Sequence, residues 1–372
     1  MTIQKLQQKR IVIKIGSSLI TDNGTRLNLD LIDTLAKQIS SIREFGASVS
    51  IVSSGAVAFG MSRLKWATRP KSIHDLQAAA AIGQIGLARA YQDSFEKLGL
   101  QAAQILLTHD DLTHRARYLN ARSTLRTLLE LGVIPIINEN DSVATEEIKF
   151  GDNDTLASLV ANLTEANLMI LLTDQDGLYT TDPRKNKDAQ LVQEITADDP
   201  NLEKMASGAG SQFGRGGMQT KVFAARKAAT GGARTVIANG MTTDILTKIT
   251  SGISIGTTLL PTKPSLKSRK QWLGSLQSKG TLTLDEGAVR ALINDNKSLL
   301  PIGVRETIGD YSRGDVVVCV DANGKRIASG LINYSAAETA KIIGKPSQKI
   351  EELIGYMNDY ELIHRDNLAI DD

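Results

Sequence analysis

Residues Ile11-Val12-Ile13-Lys14-Ile15-Gly16-Ser17-Ser18 set a branched apolar run directly before a glycine and two serines. The run lacks polar alternation and reads as a β-strand covered on both faces. A lysine among four apolar neighbours is costly to bury alone, so Lys14 is expected to reach an open sheet edge. Gly16 removes side-chain bulk where a backbone could approach a phosphate, and Ser17 and Ser18 add donors. A surface lysine before an ordinary turn fits these residues equally well.

Similar runs recur along the chain. Strands are predicted at Ile11–Ile15, Ser48–Ser53, Gln104–Thr108, Val133–Asn138, Leu168–Thr173 and Arg234–Ala238. Helices are predicted between them at Leu29–Phe45, Asp75–Leu98, Arg117–Leu131, Thr155–Leu163 and Met218–Thr230. This alternation specifies an α/β fold with an open, mainly parallel sheet sandwiched by helices. Right-handed crossovers then gather the strand carboxyl ends along one edge, where ligands bind. The pattern breaks near residue 260. A segment containing Pro261, Pro264, Lys263, Lys267, Arg269 and Lys270 without an acid reads as a basic linker over 261–278. A small, mostly β domain with short strands at Thr281–Leu284, Val316–Val320 and Ile327–Asn333 is expected over 279–372. The α/β domain then occupies 1–260.

Composition narrows the function classes. The 372 residues are 41% hydrophobic, too apolar for a disordered chain, and their 43 basic and 41 acidic side chains give no global polyanion-binding surface. Cys319 is the single cysteine, so no intrachain disulfide forms, and it reads as a small apolar residue of its strand. His74, His109, His114 and His364 lack metal-ligand spacing, and Trp66 and Trp272 make no stacking platform. Apolar runs are far shorter than the ~20 residues of a membrane helix, and the N-terminus has no signal-peptide core, so a cytoplasmic protein is expected.

Polar residues cluster after the predicted strands. Ser53-Ser54-Gly55-Ala56 forms a second small, donor-rich turn before a helix, again suited to an anion. Asn138-Glu139-Asn140-Asp141, Glu146, Glu147 and Gly151-Asp152-Asn153-Asp154 concentrate carboxylates and carboxamides. The carboxylates could recognise an ammonium group, order lysines or approach magnesium, and the amides could bind a carboxylate. Capping of the helix from Thr155 accounts for one of Asn153 and Asp154 at most. Thr173-Asp174 ends another strand. Gly208 to Lys221 holds five glycines in fourteen residues and leads into a helix, yet it is neither a Walker A loop nor a Rossmann fingerprint. Lysines beside glycine-rich turns, an acidic cluster and a parallel sheet point to phosphoryl transfer. The lack of a kinase-type H-R-D-x-x-x-x-N loop (His364-Arg365-Asp366 is followed by Asp371, not by the asparagine) favours an acceptor that needs no base, such as a carboxylate, already ionised at pH 7 with a pKa of about 4.

Taken in order, Lys14-Ile15-Gly16-Ser17-Ser18, Ser53-Ser54-Gly55-Ala56, Ile137 to Asp141, Gly151 to Asp154, Thr173-Asp174 and Gly216-Gly217-Met218-Gln219-Thr220-Lys221 resemble the amino acid kinase family. The stretch from about Lys279 to Lys345 is similar to a PUA domain. The resemblance implies ATP-dependent phosphorylation of the side-chain carboxylate of L-glutamate with Mg²⁺, as the first step of proline biosynthesis. It further implies feedback inhibition by L-proline, a homo-oligomer (dimer or tetramer) and a glutamyl phosphate reductase that takes the product. By the same resemblance Lys14 and Lys221 stabilise the transferring phosphoryl group and Asp154 holds those lysines. Ser54, Asp141 and Asn153 then bind the amino acid. Lys14, Thr173, Asp174 and the run Arg215, Gly216, Gly217, Met218, Gln219, Thr220 and Lys221 bind ATP. Arg215 stands where the family often has threonine; it either adds a cation beside the phosphates that tightens ATP binding or faces solvent, and solvent is the favoured expectation. PUA domains elsewhere bind RNA, but residues 279–372 carry 11 basic and 15 acidic side chains, which argues against a nucleic-acid partner.

Overall fold

The apolar runs become strands of one sheet in a computed structural model that describes residues 9–21, 26–144, 153–207, 217–262 and 278–371. The described residues divide into two compact units, 9–112 with 122–262 and 113–121 with 278–371. Most of the expected linker, residues 263–277, lies outside the described residues.

An eight-stranded sheet forms the first unit. Its strands are β1 (Arg10–Ile15), β2 (Ser48–Ser53), β3 (Ala102–Leu107), β4 (Ile134–Glu139), β5 (Leu168–Thr173), β6 (Glu194–Thr196), β7 (Arg234–Asn239) and β8 (Thr257–Leu260). They lie in the order β3-β4-β2-β1-β5-β7-β8-β6. Pairing is parallel from β3 to β7, and only the β7–β8 pair is antiparallel. The central strands are apolar because both faces are covered, and β4 and β5 are buried at every position. The sequence did not announce β6 and β8. The first is three residues, Glu-Ile-Thr, with exposed ends, and the second is only four residues, Thr-Thr-Leu-Leu.

The covering helices are α1 (Ser17–Ile20), α2 (Leu29–Glu44), α3 (Ala56–Arg63), α4 (Ile73–Glu96), α5 (His109–Thr113), α6 (Arg115–Glu130), α7 (Asn153–Leu163), α8 (Leu202–Ser207), α9 (Met218–Thr230) and α10 (Ile245–Thr250). In α2 the Asn28 side chain caps the first turn by accepting from the Leu31 N–H. Leu31, Leu35, Ile39 and Ile42 then line one face at helical spacing and join Ile11, Ile13 and Ile15 in the core. Strand register sets the working edge. Ile15 lies opposite Ser53 and Leu172, Val52 opposite Ile137, and Thr173 opposite Asn239. Five strands therefore end level, and the loops carrying the polar clusters leave from the same carboxyl edge.

The second unit holds a five-stranded sheet of β9 (Gly280–Leu284), β10 (Val304–Gly309), β11 (Val316–Val320), β12 (Arg326–Leu331) and β13 (Leu368–Ile370), ordered β10-β9-β11-β12-β13. With it go α11 (Glu286–Ile293), α12 (Ala336–Ile342) and α13 (Ile350–Ile354). Two of these strands escaped the sequence pattern. β10 is an edge strand with a bulge and exposed Arg305 and Glu306, so its apolar signal is weak, and β13 is only three residues long. Cys319 packs with Leu282, Val317 and Tyr334, and burial pushes its thiol up to about 12. Residues 113–121 belong to this unit, where Leu119 packs with Val316, Leu331 and Ala369. Among the described residues no helix is long and apolar enough to cross a membrane.

Candidate functional site

Lys14 points from β1 to a carboxylate, not to an open edge. It is 6% exposed, and its Nζ sits 2.6 Å from Oδ1 of Asp154 on the first turn of α7. The expected exposure fails because the ion pair substitutes for water around the ammonium. The other carboxylate oxygen receives two further donors. Lys221 Nζ on α9 lies at 3.0 Å from Oδ2 and the Thr220 hydroxyl donates to it at 2.8 Å. Burial alone would raise the Asp154 pKa, but the charges of Lys14 and Lys221 and the Thr220 hydroxyl hold it well below the usual carboxylate range. Two residues far apart in sequence thus deliver ammonium groups to opposite oxygens of one carboxylate. Together the three groups carry one excess positive charge inside the protein.

Beside this trio lies a network of amides. The α7 helix starts at Asn153, so neither Asn153 nor Asp154 acts as the cap expected before Thr155. The Asn153 Nδ2 group donates to the Ser53 carbonyl at 3.0 Å, the Ser54 hydroxyl at 2.9 Å and Asn138 Oδ1 at 3.0 Å. Ser54 is held here because Gly55 adopts φ +104°, a conformation that turns the chain sharply from β2 into α3. A Cβ at Gly55 would also meet Ile20 at 2.6 Å. Asp141 stands three residues beyond Asn138, in a turn whose Val143 and Ala144 N–H groups donate to the Asn140 carbonyl. Burial pushes its carboxyl up to about 6, against the opposing pull of Arg69.

Among the expected nucleotide residues, Thr173 and Asp174 close β5 with the Thr173 hydroxyl donating to Asp174 at 3.0 Å. They follow Leu172, the partner of Ile15 beside the Gly16 turn. Gly217 leads into α9, and its carbonyl accepts from both the backbone N–H and the hydroxyl of Thr220. Gln219 faces solvent, while the Met218 side chain is buried and contributes to packing. Arg215 and Gly216 lie outside the described residues, as do Glu146, Glu147, Gly151 and Asp152. Sequence reasoning passed over Gln84 of α4. The available signal was a glutamine on a buried face otherwise formed largely by Leu76, Ala79, Ala80, Gly83, Leu87 and Tyr91.

The chain matches the amino acid kinase family over residues 9–239 and the PUA domain over residues 280–354. A glutamate 5-kinase of Ectopseudomonas mendocina is 56% identical over 363 residues, covering 97% of this chain and 98% of that protein. A glutamate 5-kinase of Nitrosospira multiformis is 56% identical over 365 residues, covering 98% of each. Among solved structures, a UMP kinase from Bacillus anthracis aligns with a TM-score of 0.49 at 18% identity, over 69% of this chain and 98% of its own. The motif order, the sheet and the relatives agree: the chain belongs to the amino acid kinase family and carries a C-terminal PUA domain.

Proposed function

We propose that this enzyme transfers the terminal phosphoryl group of ATP to the side-chain carboxylate of L-glutamate, giving ADP and L-glutamyl 5-phosphate. One observation carries the reading: a single buried carboxylate, Asp154, holds the ammonium groups of Lys14 and Lys221 at the carboxyl edge of the sheet. The surplus positive charge in a water-poor site suits the equatorial oxygens of a phosphoryl group in flight. Asp154 fixes the lysines beforehand, so little reorganisation is needed at the moment of transfer. The acceptor carboxylate is already ionised, and no general base is required. A carboxylate oxygen bonds to phosphorus, the bond to the β-phosphate oxygen breaks, and ADP departs with those electrons.

In this reading Ser54 and Asn153 hold the amino acid, and Asp141 receives its ammonium group. The Arg215–Lys221 run, with Thr173 and Asp174, holds the nucleotide. Mg²⁺ arrives with ATP. Asp154 is engaged by two ammonium groups, so it would be a poor ligand for that cation, which would be held mainly by the nucleotide. Its chemistry there is charge neutralisation along the triphosphate.

The relatives' name and the PUA domain support glutamate over aspartate, N-acetylglutamate, carbamate or UMP. Trapping the acyl phosphate with hydroxylamine across that acceptor panel tests this. Glutamyl hydroxamate should dominate, and its absence would overturn the reading. We further propose a place in cytoplasmic proline biosynthesis, with a reductase consuming the unstable product, and a homo-oligomeric state. Proline shares the ammonium and α-carboxylate of glutamate, so feedback inhibition should be competitive with glutamate. Inhibition unaffected by glutamate would remove that assignment.

A further inference from the structure

Three carboxamides lie in series beside Ser54, and two backbone groups determine which way each one faces. The Ser53 carbonyl can only accept, so the Asn153 atom facing it at 3.0 Å must be Nδ2. The Glu139 N–H can only donate, so the Asn138 atom facing it at 2.9 Å must be Oδ1. That oxygen also receives Asn153 Nδ2 at 3.0 Å. Asn138 Nδ2 is left pointing at α4, where Gln84 Oε1 accepts from it at 2.7 Å. Asn138 is 1% exposed and Gln84 8% exposed, so no solvent competes for these bonds.

The helix is placed for this contact. Gly83 lies so close to α3 that a Cβ there would stand 1.9 Å from the Ala56 carbonyl oxygen. Ala56 directly follows the Ser54-Gly55 turn, so α4 is seated against the turn that presents Ser54. Two helical turns before Gln84, Gln77 Nε2 donates to the Ala144 carbonyl at 3.0 Å. One face of α4 therefore grips both ends of the Asn138–Ala144 segment, which includes Asp141.

We propose that Gln84 is a positioning residue of the amino acid site, acting through Asn138 to secure Asn153 in the orientation set by the Ser53 carbonyl, with its NH₂ toward the protein and its Oδ1 available as an acceptor. That orientation suits a cationic group of the bound amino acid and disfavours a carboxylate at the same point. The proposal rests on the glutamate reading above.

Steady-state kinetics of Gln84→Leu and Gln84→Glu, with both substrates varied, test it. Gln84→Leu removes the acceptor and should raise the glutamate KM by about tenfold or more, with the ATP KM within about twofold of wild type. Gln84→Glu restores an oxygen facing Asn138, stays protonated in this burial, and should return the glutamate KM to within about threefold. Should Gln84→Leu fail to fold, Gln84→Met keeps the length without the acceptor and carries the same expectation. A glutamate KM unchanged in the Leu or Met variant overturns the proposal, as does a parallel rise in both KM values or a failure of Glu to rescue. Wild-type enzyme that does not turn over glutamate overturns the underlying reading instead.

Discussion

Each unit of this protein sets one aspartate between two cations, with opposite consequences. In the first unit Asp154 lies between Lys14 and Lys221, whose side chains are 7% and 5% exposed. In the second, Asp315 lies between Arg115 and Lys279, whose side chains are 35% and 54% exposed. Burial opposes the ionised form of Asp315, while the Ser312 N–H, Lys279 and Arg115 lower its pKa. The charge pattern is the same and the surroundings are not. Asp315 is buried, but water screens its two cations, and the cluster ties residues 113–121 to the rest of their own unit. Water is excluded from the Asp154 cluster, so its surplus charge acts at full strength on an anionic ligand. Burial of the cations separates a chemical site from a structural tie.

The largest break in that comparison should come from the cations. Lys14→Ala is expected to lower kcat by roughly 10²–10³-fold with a small change in glutamate KM, the scale of losing one transition-state donor. Lys279→Ala should leave kcat unchanged, and steady-state assays of the two variants side by side check the contrast. Next come the aspartates. Asp154→Asn strands two buried ammonium groups and should cost about 3–5 kcal/mol in denaturant unfolding. Asp315→Asn, beside screened partners, should cost about 0–1 kcal/mol.

Asp141 sharpens the comparison further. Burial pushes its carboxyl up to about 6, so the proposed ammonium contact predicts that kcat/KM for glutamate falls about tenfold per pH unit below that point, as the carboxylate is protonated. Asp141→Asn should remove the pH dependence and raise the glutamate KM. The folded pKa lies above the unfolded value of about 3.9, so the ionised carboxylate disfavours the fold above pH 6 and the penalty disappears below about pH 4. The same variant should therefore raise Tm at pH 7 by on the order of 2 °C in calorimetry. The smallest effect is ionic. Raising salt toward 1 M should erase the stability cost of Asp315→Asn and leave that of Asp154→Asn nearly intact.

The sheet was legible in the sequence because its central strands are buried on both faces and read as largely apolar runs; Leu168–Thr173 matches residue for residue, and so does Ser48–Ser53 despite its three serines. Edge strands such as β6 and β10 carry mixed, exposed residues and leave no such trace. The Lys14–Asp154–Lys221 grouping was implied by the resemblance to the amino acid kinase family, which rests on the order of the motifs. Where Lys14 would point was not readable, since pairing with a residue 140 positions away overrides the local cost of burial. Gln84, and its pairing with Asn138, were hidden for a similar reason. A helix glutamine and a strand asparagine become one network only after α4 crosses α3 at Gly83.

The most direct test of the central claim is a single-turnover experiment on Lys221→Ala with saturating ATP and glutamate, alongside equilibrium ATP binding. Placement of that ammonium on the transferring phosphoryl group predicts a transfer rate lower by about 10²–10³-fold and an ATP Kd shifted by less than about tenfold. A transfer rate within about twofold of wild type would contradict it.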